Sequence, residues 1–286
     1  FSLALILGLL GITFSNNTIQ AEPTKAPRVV KVGVYDNPPK IYKDSDGQIK
    51  GFWADLLTYI SLQENWNIEY VFGTFDEGLS RLESNSIDIM VDVGYSPTRS
   101  EIFAFTTETA FINWAGVYSS NNLNIEAFKD LDGKRIAVMK NDIHYIGPLG
   151  MKSMMDSFGY NANYIEESSY AECLKAVEDG KADIGVVNRL FGAHSEDKYN
   201  IKRTSLVYNP IELKFAIAKD TENTEYYIEA IDHNLKLLKA DPDSIYYQSI
   251  IENLEGIVRT VQKPPTWIGP VIFGLALIIA ILFFIT

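Results

Sequence analysis

The feature that most constrains the fold is an alternation of strand-like and helix-like segments that begins near residue 28 and later starts again. In the first half the strand patterns lie at 28–35, 67–72 and 87–91, and the helical patterns lie at 51–63 and 75–83. Strands that alternate with helices are typical of βαβ units and a largely parallel sheet. The sequence therefore predicts an α/β fold.

The second half of the chain restarts the alternation. The predicted elements are a strand at 135–139, helices near 148–158 and at 170–178, a strand at 183–187, and a helical region at 224–254 that is broken at Asp241-Pro242. A proline disfavours helical backbone at the residue before it, so the break predicts two helices there.

Two stretches of the chain are similar to each other. RLESNSIDIMVDVG (81–94) and AVEDGKADIGVVNR (176–189) both end a helix in glutamate, turn, and enter a strand through Asp-Ile. Asp88 thereby corresponds to Asp183. Repeated units of this kind predict two lobes of similar construction.

The predicted lobes are interleaved along the chain. Lobe 1 comprises residues 28–115 and 214–256, and lobe 2 comprises residues 120–210. Gly116–Ser120 and Glu212–Ala218 are extended runs that leave one α/β unit for the other. Two crossings predict a hinged pair of lobes that opens and closes.

The C-terminal segment WIGPVIFGLALIIAILFFIT (267–286) contains no charged residue. About 20 apolar residues are enough to span the hydrocarbon core of a bilayer as a helix. We therefore predict a transmembrane helix, with Trp267 at the interface and residues 257–266 as a short linker. The chain ends in this segment and begins with phenylalanine, so we expect a longer protein that continues beyond residue 286.

The N-terminal segment 1–22 starts with the apolar run FSLALILGLLGITF. Its length is closer to the hydrophobic region of a signal peptide than to a full span, although residues upstream could extend it into a membrane anchor. Either interpretation places the α/β region outside the cytoplasmic membrane, in the periplasm or the extracellular space.

The overall charge argues against one class of partner, and the cysteine content excludes a disulfide. The net charge is −12, whereas a nucleic-acid partner requires a basic face, so no nucleic-acid partner is expected. Cys173 is the only cysteine, which excludes an internal disulfide. We expect it to be a small buried residue on a helix.

Catalytic and metal-binding motifs are scarce. His144, His194 and His233 have no metal-ligand spacing, and the sequence has no HExxH, GxSxG, Walker or GxGxxG motif. We therefore predict no catalytic residue, no metal and no cofactor, and expect a binding protein rather than an enzyme.

One arginine has an unusual position. In DVGYSPTRSEIFAFT, Arg99 lies between a buried strand and a second apolar patch. Ligands of open α/β sheets bind beyond the carboxyl ends of the strands, and a guanidinium pairs well with a carboxylate. Arg99 either binds a carboxylate ligand or forms a structural ion pair with an acid such as Glu101 or Glu108.

Six pieces of the chain carry a resemblance to a known family. They are VGVYDNPP (32–39), DGQIKGFWADLL (46–57), SPTRSEIFAFT (96–106), LDGKRIAVMKND (131–142), DGKADIGVVNR (179–189) and FAIAKD (215–220). In order and spacing, the chain resembles type II periplasmic solute-binding proteins, specifically the family 3 group that includes binders of polar amino acids. The resemblance implies a two-lobed Venus flytrap fold that closes on a small molecule.

The resemblance also implies a set of ligand-binding residues. Arg99 corresponds to the arginine that holds a ligand α-carboxylate, and Asp92, Gly94 and Ser96 correspond to residues of the same wall. Tyr35 corresponds to a position that often contacts the ligand. Further apolar surface is expected from Trp53, Trp114 and Phe191.

Lobe 2 departs from the family pattern. Amino-acid binders usually have an aspartate for the ligand ammonium where this chain has Asn188, and a Gly-Thr-Thr-like helix start where it has Asn141-Asp142-Ile143. Asp142 and Asn188 are predicted either to line the ligand site or to cap the helices that follow them. Asp92 is a candidate to replace the missing anion. The expected ligand is an amino acid, with other small carboxylates as alternatives.

Together these features predict the extracytoplasmic sensor domain of a membrane receptor, with a histidine kinase, or alternatively a diguanylate cyclase, as its cytoplasmic output. Such receptors commonly work as dimers, so a homodimer is expected from the resemblance. One alternative is a membrane-tethered binding protein of an amino-acid uptake transporter. Another, from the enzyme class, is a cyclohexadienyl dehydratase, which would need an acid such as Asp92 or Asp142 near Arg99.

Overall fold

The computed structural model describes residues 26–255. The predicted N-terminal segment 1–22, most of the linker 257–266 and the predicted transmembrane helix 267–286 lie outside these residues. Within the described part, no helix combines the length and the apolar character that crossing a bilayer requires.

The described chain contains eleven strands and nine α-helices. The strands are β1 (Arg28–Val34), β2 (Tyr42–Lys43), β3 (Ile49–Lys50), β4 (Trp66–Phe72), β5 (Ile89–Gly94), β6 (Ala104–Phe105), β7 (Phe111–Ser119), β8 (Arg135–Met139), β9 (Asn163–Glu167), β10 (Ile184–Asn188) and β11 (Lys202–Ile217). The helices are α1 (Phe52–Glu64), α2 (Phe75–Glu83), α3 (Pro97–Ile102), α4 (Ile143–Ile146), α5 (Met151–Phe158), α6 (Tyr170–Glu178), α7 (Arg189–Ser195), α8 (Thr224–Ala240) and α9 (Ile245–Ser249). A π-helical turn, Ile250–Glu255, follows α9.

Nine of the strands form one sheet, in the order β4-β1-β5-β11-β7-β10-β8-β9, with β6 paired to β11. β1 runs parallel to β4 and β5, and β8 runs parallel to β9 and β10. The two central strands, β7 and β11, are antiparallel to their neighbours. The predicted two-lobed α/β fold is thus confirmed: lobe 1 is built on β1, β4 and β5, and lobe 2 on β8, β9 and β10.

The internal similarity seen in the sequence has a structural counterpart. The Asp88 carboxylate accepts a hydrogen bond from the backbone N–H of Lys31 on β1, at 2.7 Å. The Asp183 carboxylate accepts one from the backbone N–H of Arg135 on β8, at 2.9 Å. Each aspartate precedes a strand and connects its start to a neighbouring strand: Asp88 joins β5 to β1, and Asp183 joins β10 to β8.

The lobes are joined by the two long central strands. β7 pairs with β10 of lobe 2 through Ala115–Ser119, and β11 pairs with β5 of lobe 1 through Leu213–Ile217. The register between β7 and β11 shifts between Tyr208 and Ile211, where Asn209 has a positive φ of 51°. A proline follows at 210, so this step of the ladder lacks one backbone donor.

Trp53 and Phe191, which are expected to add apolar surface to the ligand site, lie in the core and do not line the cavity between the lobes. Trp53 is fully buried and packs edge-to-face on Phe215, with ring centroids 4.9 Å apart. Phe191 is buried and packs on Tyr170, with ring centroids 5.5 Å apart. Cys173 is a free, buried thiol on α6, as predicted.

A tight glycine turn fixes the loop that precedes α1. Gly51 has φ 104°, and a Cβ at this position would lie 2.5 Å from the carbonyl oxygen of Pro39 and 2.6 Å from that of Lys40. Gly51 therefore lets the loop at 37–40 pack directly against the start of α1.

We expect Gly51→Ala to lower the free energy of unfolding by about 3 kcal/mol, because a strained φ adds to the steric overlap with backbone. Gly47→Ala is the matched control, since Gly47 also has a positive φ, 80°, but a Cβ there would meet no atom within 4 Å. The control should cost about 1 kcal/mol. Urea denaturation of both variants tests this, and equal losses would contradict the steric argument.

Candidate functional site

Polar side chains converge at the junction of the lobes, where the parallel strands β1 and β5 of lobe 1 and the parallel strands β8 and β10 of lobe 2 end. Tyr35 follows β1, Asp92 lies near the end of β5, Asp142 follows β8, and Asn188 ends β10. These residues line one enclosed cavity of about 10 Å³, which has room for about one water molecule. The site therefore lies beyond the carboxyl ends of the strands, where open α/β sheets bind ligands.

The lobe 1 wall of the cavity contains a buried ion pair. The Lys40 ammonium lies 2.7 Å from the Asp92 carboxylate, and both side chains are almost fully buried. Asp92 also accepts hydrogen bonds from the Tyr35 hydroxyl at 2.8 Å and from the Asn37 amide at 2.7 Å. Burial, with Asp92 adjacent, raises the pKa of Tyr35 well above its ordinary value, so this hydroxyl remains a donor.

Arg99 lies on α3 and reaches from lobe 1 to lobe 2. The Ser96 hydroxyl caps the helix by accepting from the Arg99 backbone N–H at 3.2 Å. The guanidinium donates to the carbonyl of Gly94 at 2.9 Å and, across the cleft, to the carbonyl of Asn141 at 2.6 Å. It lies 5.6 Å from the Phe75 ring centroid, and only 8% of Arg99 is exposed.

The lobe 2 wall presents a second buried acid. Asp142 is 3% exposed, and its carboxylate accepts a hydrogen bond from the Tyr170 hydroxyl at 3.0 Å. Burial, with the Asp142 charge nearby, raises the pKa of Tyr170 well above its ordinary value, so the hydroxyl stays protonated. His144 lines the same cavity, and burial lowers its pKa, which keeps the ring neutral at pH 7.

The charges of the cavity are only partly compensated by the protein. Lys40 and Asp92 neutralise each other, but neither Arg99 nor Asp142 belongs to an ion pair within residues 26–255. Burial lowers the pKa of Arg99, and the Asp142 charge opposes that shift. A guanidinium stays charged in proteins, so the cavity holds one cation and one acid that lack ionic partners of their own.

Asn188 lines the cavity and also caps a helix, which are the two alternatives that the sequence predicts for it. Its side-chain oxygen accepts from the backbone N–H of Phe191 at 3.0 Å and so caps α7. The same oxygen accepts from the Asn113 amide at 3.0 Å, while the Asn188 amide donates to Asn37 of lobe 1 at 2.8 Å. Asn188 therefore both begins a helix and bridges the two lobes.

One known protein family matches the chain over most of its length. The sequence model of the bacterial extracellular solute-binding proteins, family 3, matches residues 30–243. The chain belongs to this family. Family 3 membership agrees with the resemblance found in the sequence.

Three proteins illustrate what this chain is similar to. A probable amino-acid ABC transporter periplasmic-binding protein of Sinorhizobium fredii is 24% identical over 58% of this chain, and the match spans only 55% of that relative. An ancestral arginine-binding protein bound to arginine has a TM-score of 0.69 at 19% identity, covering 80% of this chain and 99% of that one. A histidine kinase sensor domain with similarity to periplasmic binding proteins has a TM-score of 0.68 at 19% identity, covering 79% and 96%. At these identities the structures support the fold alone.

Two expectations for this family 3 site are not met by the geometry. Asp92 is held by Lys40, Tyr35 and Asn37, so it is not a spare anion for a ligand ammonium. Trp114 does not line the cavity. Its half-buried ring instead lies 5.3 Å from the Arg189 guanidinium.

Of the remaining residues predicted for the ligand site, most line the cavity and one supports a helix of its wall. Tyr35, Asp92, Gly94, Arg99, Asp142 and Asn188 line the cavity. Ser96 does not line it and instead caps the helix that carries Arg99. Asp142 stands at the start of α4 but makes no side-chain capping bond, so the capping alternative is wrong for this residue.

Sequence reasoning missed several residues of the wall. They are Lys40, Phe75, Ile143, His144, Tyr170 and Leu213. For Lys40, the sequence indicates a place near the ligand site only through the run NPPK, in which the lysine directly follows the first strand and its turn. No local pattern distinguishes the other residues from ordinary core.

A second set of contacts joins the lobes outside the cavity. Asp76, at the start of α2 in lobe 1, accepts from the Lys140 ammonium of lobe 2 at 2.8 Å and also from the Asn141 amide. The hydrogen bond from Lys140 holds the pKa of Asp76 below its ordinary value. These bonds exist only when the lobes are close together, so they stabilise the closed form without touching the cavity.

We expect Asp76→Ala to weaken ligand binding by up to about five-fold, since a surface ion pair is worth roughly 0.2–1 kcal/mol. The effect should shrink at high salt, which screens exposed charges. Because the pKa of Asp76 is lowered in the closed form, this contribution is present at neutral pH and is lost as the pH falls through that lowered value. Calorimetric titration of the variant tests this.

Asp179→Ala is a suitable control for the Asp76 variant, because it removes an ion pair with Lys175 that lies within lobe 2. Equal losses of affinity in the two variants would contradict a role for Asp76 in closure.

Proposed function

We propose that this domain binds an amino acid in the cleft between its lobes and closes on it as the sensor of a membrane receptor. The observation that carries the binding proposal is the pair of buried, ionically unpaired groups on opposite walls, Arg99 on lobe 1 and Asp142 on lobe 2. A free amino acid carries one carboxylate and one ammonium, which match these two charges.

The roles of the two residues follow from their chemistry. Arg99 would pair with the ligand carboxylate, for which the guanidinium geometry is well suited. Asp142 would accept from the ligand ammonium, in place of the aspartate that other family members carry at the position of Asn188. Tyr170 already orients the Asp142 carboxylate by donating to it.

Binding at both walls would make the ligand a partner of both lobes. A ligand shifts a conformational equilibrium only by its differential affinity for the two states. Contacts with Arg99 on one lobe and Asp142 on the other can form together only in the closed form. The cavity of about 10 Å³ is smaller than an amino acid, so in the ligand-bound form the two walls would stand slightly further apart than they do here, with the ligand in contact with both.

A larger cavity adjoins the site and offers space for a side chain. It has a volume of about 300 Å³ and shares Tyr35 and Phe75 with the small cavity. Its other walls contain two acids, Asp36 and Glu77, and also come from Phe72, Gly73 and Thr74 of lobe 1 and from Ser168 and Ser169 of lobe 2.

Calorimetric titration of the purified chain with the standard amino acids, dicarboxylates and aromatic acids tests the binding proposal. We expect at least one α-amino acid to bind. The deaminated analogue of that ligand should bind much more weakly, because it leaves Asp142 without a partner. Equal binding of the two would remove the role of Asp142, and a lack of binding by every amino acid would remove the proposal.

The receptor part of the proposal rests on the apolar segment 267–286, which follows lobe 1 after a short linker. The likeness to a histidine kinase sensor domain supports it. A segment of this length and composition would anchor the domain and connect its motion to a cytoplasmic output.

Alkaline carbonate extraction of membranes from producing cells tests the anchor. The full chain should remain with the membrane pellet, whereas a variant that lacks residues 267–286 should be recovered in the soluble fraction. Recovery of the full chain in the soluble fraction would overturn the receptor proposal and leave the binding proposal in place.

A second candidate function is a tethered binding protein of an uptake transporter. The relative described as a probable amino-acid ABC transporter periplasmic-binding protein favours it. Deletion of the gene should then abolish uptake of the radiolabelled ligand, while a receptor leaves the transport rate of existing carriers intact.

A further inference from the structure

One nitrogen of the His144 ring is held by a neighbour in the same lobe. The side-chain amide nitrogen of Asn209 lies 3.2 Å from Nδ1 of His144 and donates to the carbonyl of Ile143 at 3.1 Å. Because a carbonyl can only accept, the hydrogen-bearing end of this amide faces both atoms, and Nδ1 is the acceptor of the second bond. The backbone of His144 is held by the same strand, since its carbonyl accepts from the Tyr208 hydroxyl at 2.8 Å.

The tautomer of the His144 ring follows from this bond. A neutral imidazole carries its proton on one nitrogen and accepts at the other. Burial lowers the pKa of His144, so the ring is neutral at pH 7. An accepting Nδ1 leaves the proton on Nε2, which is therefore a hydrogen-bond donor.

This donor borders the cavity between the lobes. Within residues 26–255 the His144 ring makes no hydrogen bond other than the one with Asn209. Three buried polar side-chain atoms of these residues lack both a partner and open space beside them, namely Trp53 Nε1, Ser119 Oγ and the Tyr164 hydroxyl oxygen. Nε2 of His144 is not one of them, although the residue is only 2% exposed and lines the cavity. Its N–H therefore borders the space that a ligand would occupy.

Arg99 brings donors to the same space from the other lobe. In the described part of the chain its guanidinium donates to the carbonyls of Gly94 and Asn141, and a guanidinium has five N–H groups, so donors remain for a ligand. Both Arg99 and His144 line the cavity of about 10 Å³. A carboxylate accepts several hydrogen bonds through its two oxygens, whereas an ammonium accepts none. The carboxylate is therefore the part of an amino acid that matches donors on both walls.

We infer that the Nε2–H of His144 donates to the carboxylate of the amino-acid ligand, opposite Arg99, and that Asn209 is the positioning residue that fixes the required tautomer. This inference rests on the proposed function and deepens it. The opposite tautomer would present a lone pair to the cavity, which repels a carboxylate. The ligand carboxylate would thus contact both lobes, and on lobe 2 its partner is held by the strand whose register shifts beside Asn209.

Two substitutions that each keep one half of the hydrogen bonding of the ring test the donor. The side-chain amide of asparagine reaches the position of Nδ1, and that of glutamine reaches the position of Nε2. The probe is the standard amino acid that binds the wild-type chain most tightly in calorimetric titration. We expect His144→Asn to bind it about ten-fold or more weakly, the scale of one hydrogen bond to a charged group, and His144→Gln to stay within about three-fold of the wild type.

His194→Asn is the matched control for these variants. His194 also lies on a helix of lobe 2, but it is exposed and does not line the cavity. The control should bind the probe amino acid like the wild type. Thermal unfolding of each variant establishes that it is folded.

Nuclear magnetic resonance of the purified, nitrogen-15-labelled chain tests the tautomer. The ring nitrogens of the two neutral tautomers have different chemical shifts, and loss of the signals in His144→Asn assigns them. We expect a protonated Nε2 in the wild type, with a proton resonance that moves when the probe amino acid is added. Asn209→Gly should introduce the other tautomer, because it removes the amide, while glycine tolerates the φ of 51° at this position.

The outcomes separate the inference from the proposed function. A folded His144→Asn variant that binds the probe as tightly as the wild type overturns the inference and leaves the proposed function standing. A ring protonated on Nδ1 in the wild type also overturns it, as does a His144→Gln variant that loses as much affinity as His144→Asn. If no standard amino acid binds the wild type, the proposed function fails and the inference fails with it.

Discussion

Replacement of Arg99 by methionine should weaken binding of the amino-acid ligand about 100-fold or more. Truncation of one partner in a buried, hydrogen-bonded charge pair costs roughly 2–5 kcal/mol, and about 2.7 kcal/mol corresponds to a factor of 100. Arg99 also links Gly94 of lobe 1 to Asn141 of lobe 2, so the variant loses part of the closed form as well. Calorimetric titration measures the loss.

Arg81→Met is the matched control for Arg99→Met. Arg81 also lies in lobe 1, but its side chain is partly exposed and, within residues 26–255, pairs with Glu77 and the Phe72 carbonyl at the surface. The control should bind like the wild type. If Arg99→Met retained wild-type affinity while folded, the guanidinium would be a structural group and the ligand carboxylate would lie elsewhere.

Gly94→Ala should prevent full closure of the lobes. A Cβ on Gly94 would lie 2.7 Å from Cγ2 of Ile143 in lobe 2, closer than carbon atoms approach without displacement. Gly94 has no positive φ, so alanine can adopt the same backbone conformation. The unfavourable energy therefore arises from the steric overlap between the lobes. We expect affinity to fall about ten-fold or more, since overpacking typically costs 1–3 kcal/mol.

The partner of this contact offers a rescue experiment. Ile143→Ala removes Cγ2, the nearest atom that a Cβ at position 94 would meet, and leaves Cγ1 of Ile211 at 3.1 Å and Cβ of Ile143 at 3.2 Å. The double variant Gly94→Ala/Ile143→Ala should therefore recover part of the affinity relative to Gly94→Ala alone. Small-angle scattering with saturating ligand should show a larger radius of gyration for Gly94→Ala than for the wild type. Losses that simply add in the double variant would argue that the two residues do not meet during closure.

Much of the fold could be predicted because its elements carry strong local signals. The helix at 75–83 has the predicted bounds, and Thr74 and Glu77 form a complete capping box at its start. The helix at 170–178 is likewise capped by Ser169. The short strand β9 was missed because its half-buried residues, NYIEE, show no clean alternation.

The site was only partly predictable, since local sequence does not specify which distant residues meet. Arg99 was found from its position after a strand, which is a property of the local chain. The Lys40–Asp92 pair joins residues that are 52 positions apart, and the loop reaches Asp92 only because Gly51 permits close packing. The sequence consequently predicts a free acid at Asp92 and a wall residue at Trp114, whereas Asp92 is paired with Lys40 and the Trp114 ring lies beside Arg189.

The arrangement of the described chain also has a mechanical consequence. Arg28, on β1, donates to Asn223 next to α8, while Ser249 and Asn253, at the other end, donate to Asp55 of α1. Both ends of the described chain are thus fastened to lobe 1, and lobe 2 is inserted between two neighbouring strands. Tension applied through these ends would act on lobe 1 first and would reach lobe 2 only after lobe 1 has unfolded. A force experiment should therefore record two unfolding steps, lobe 1 before lobe 2.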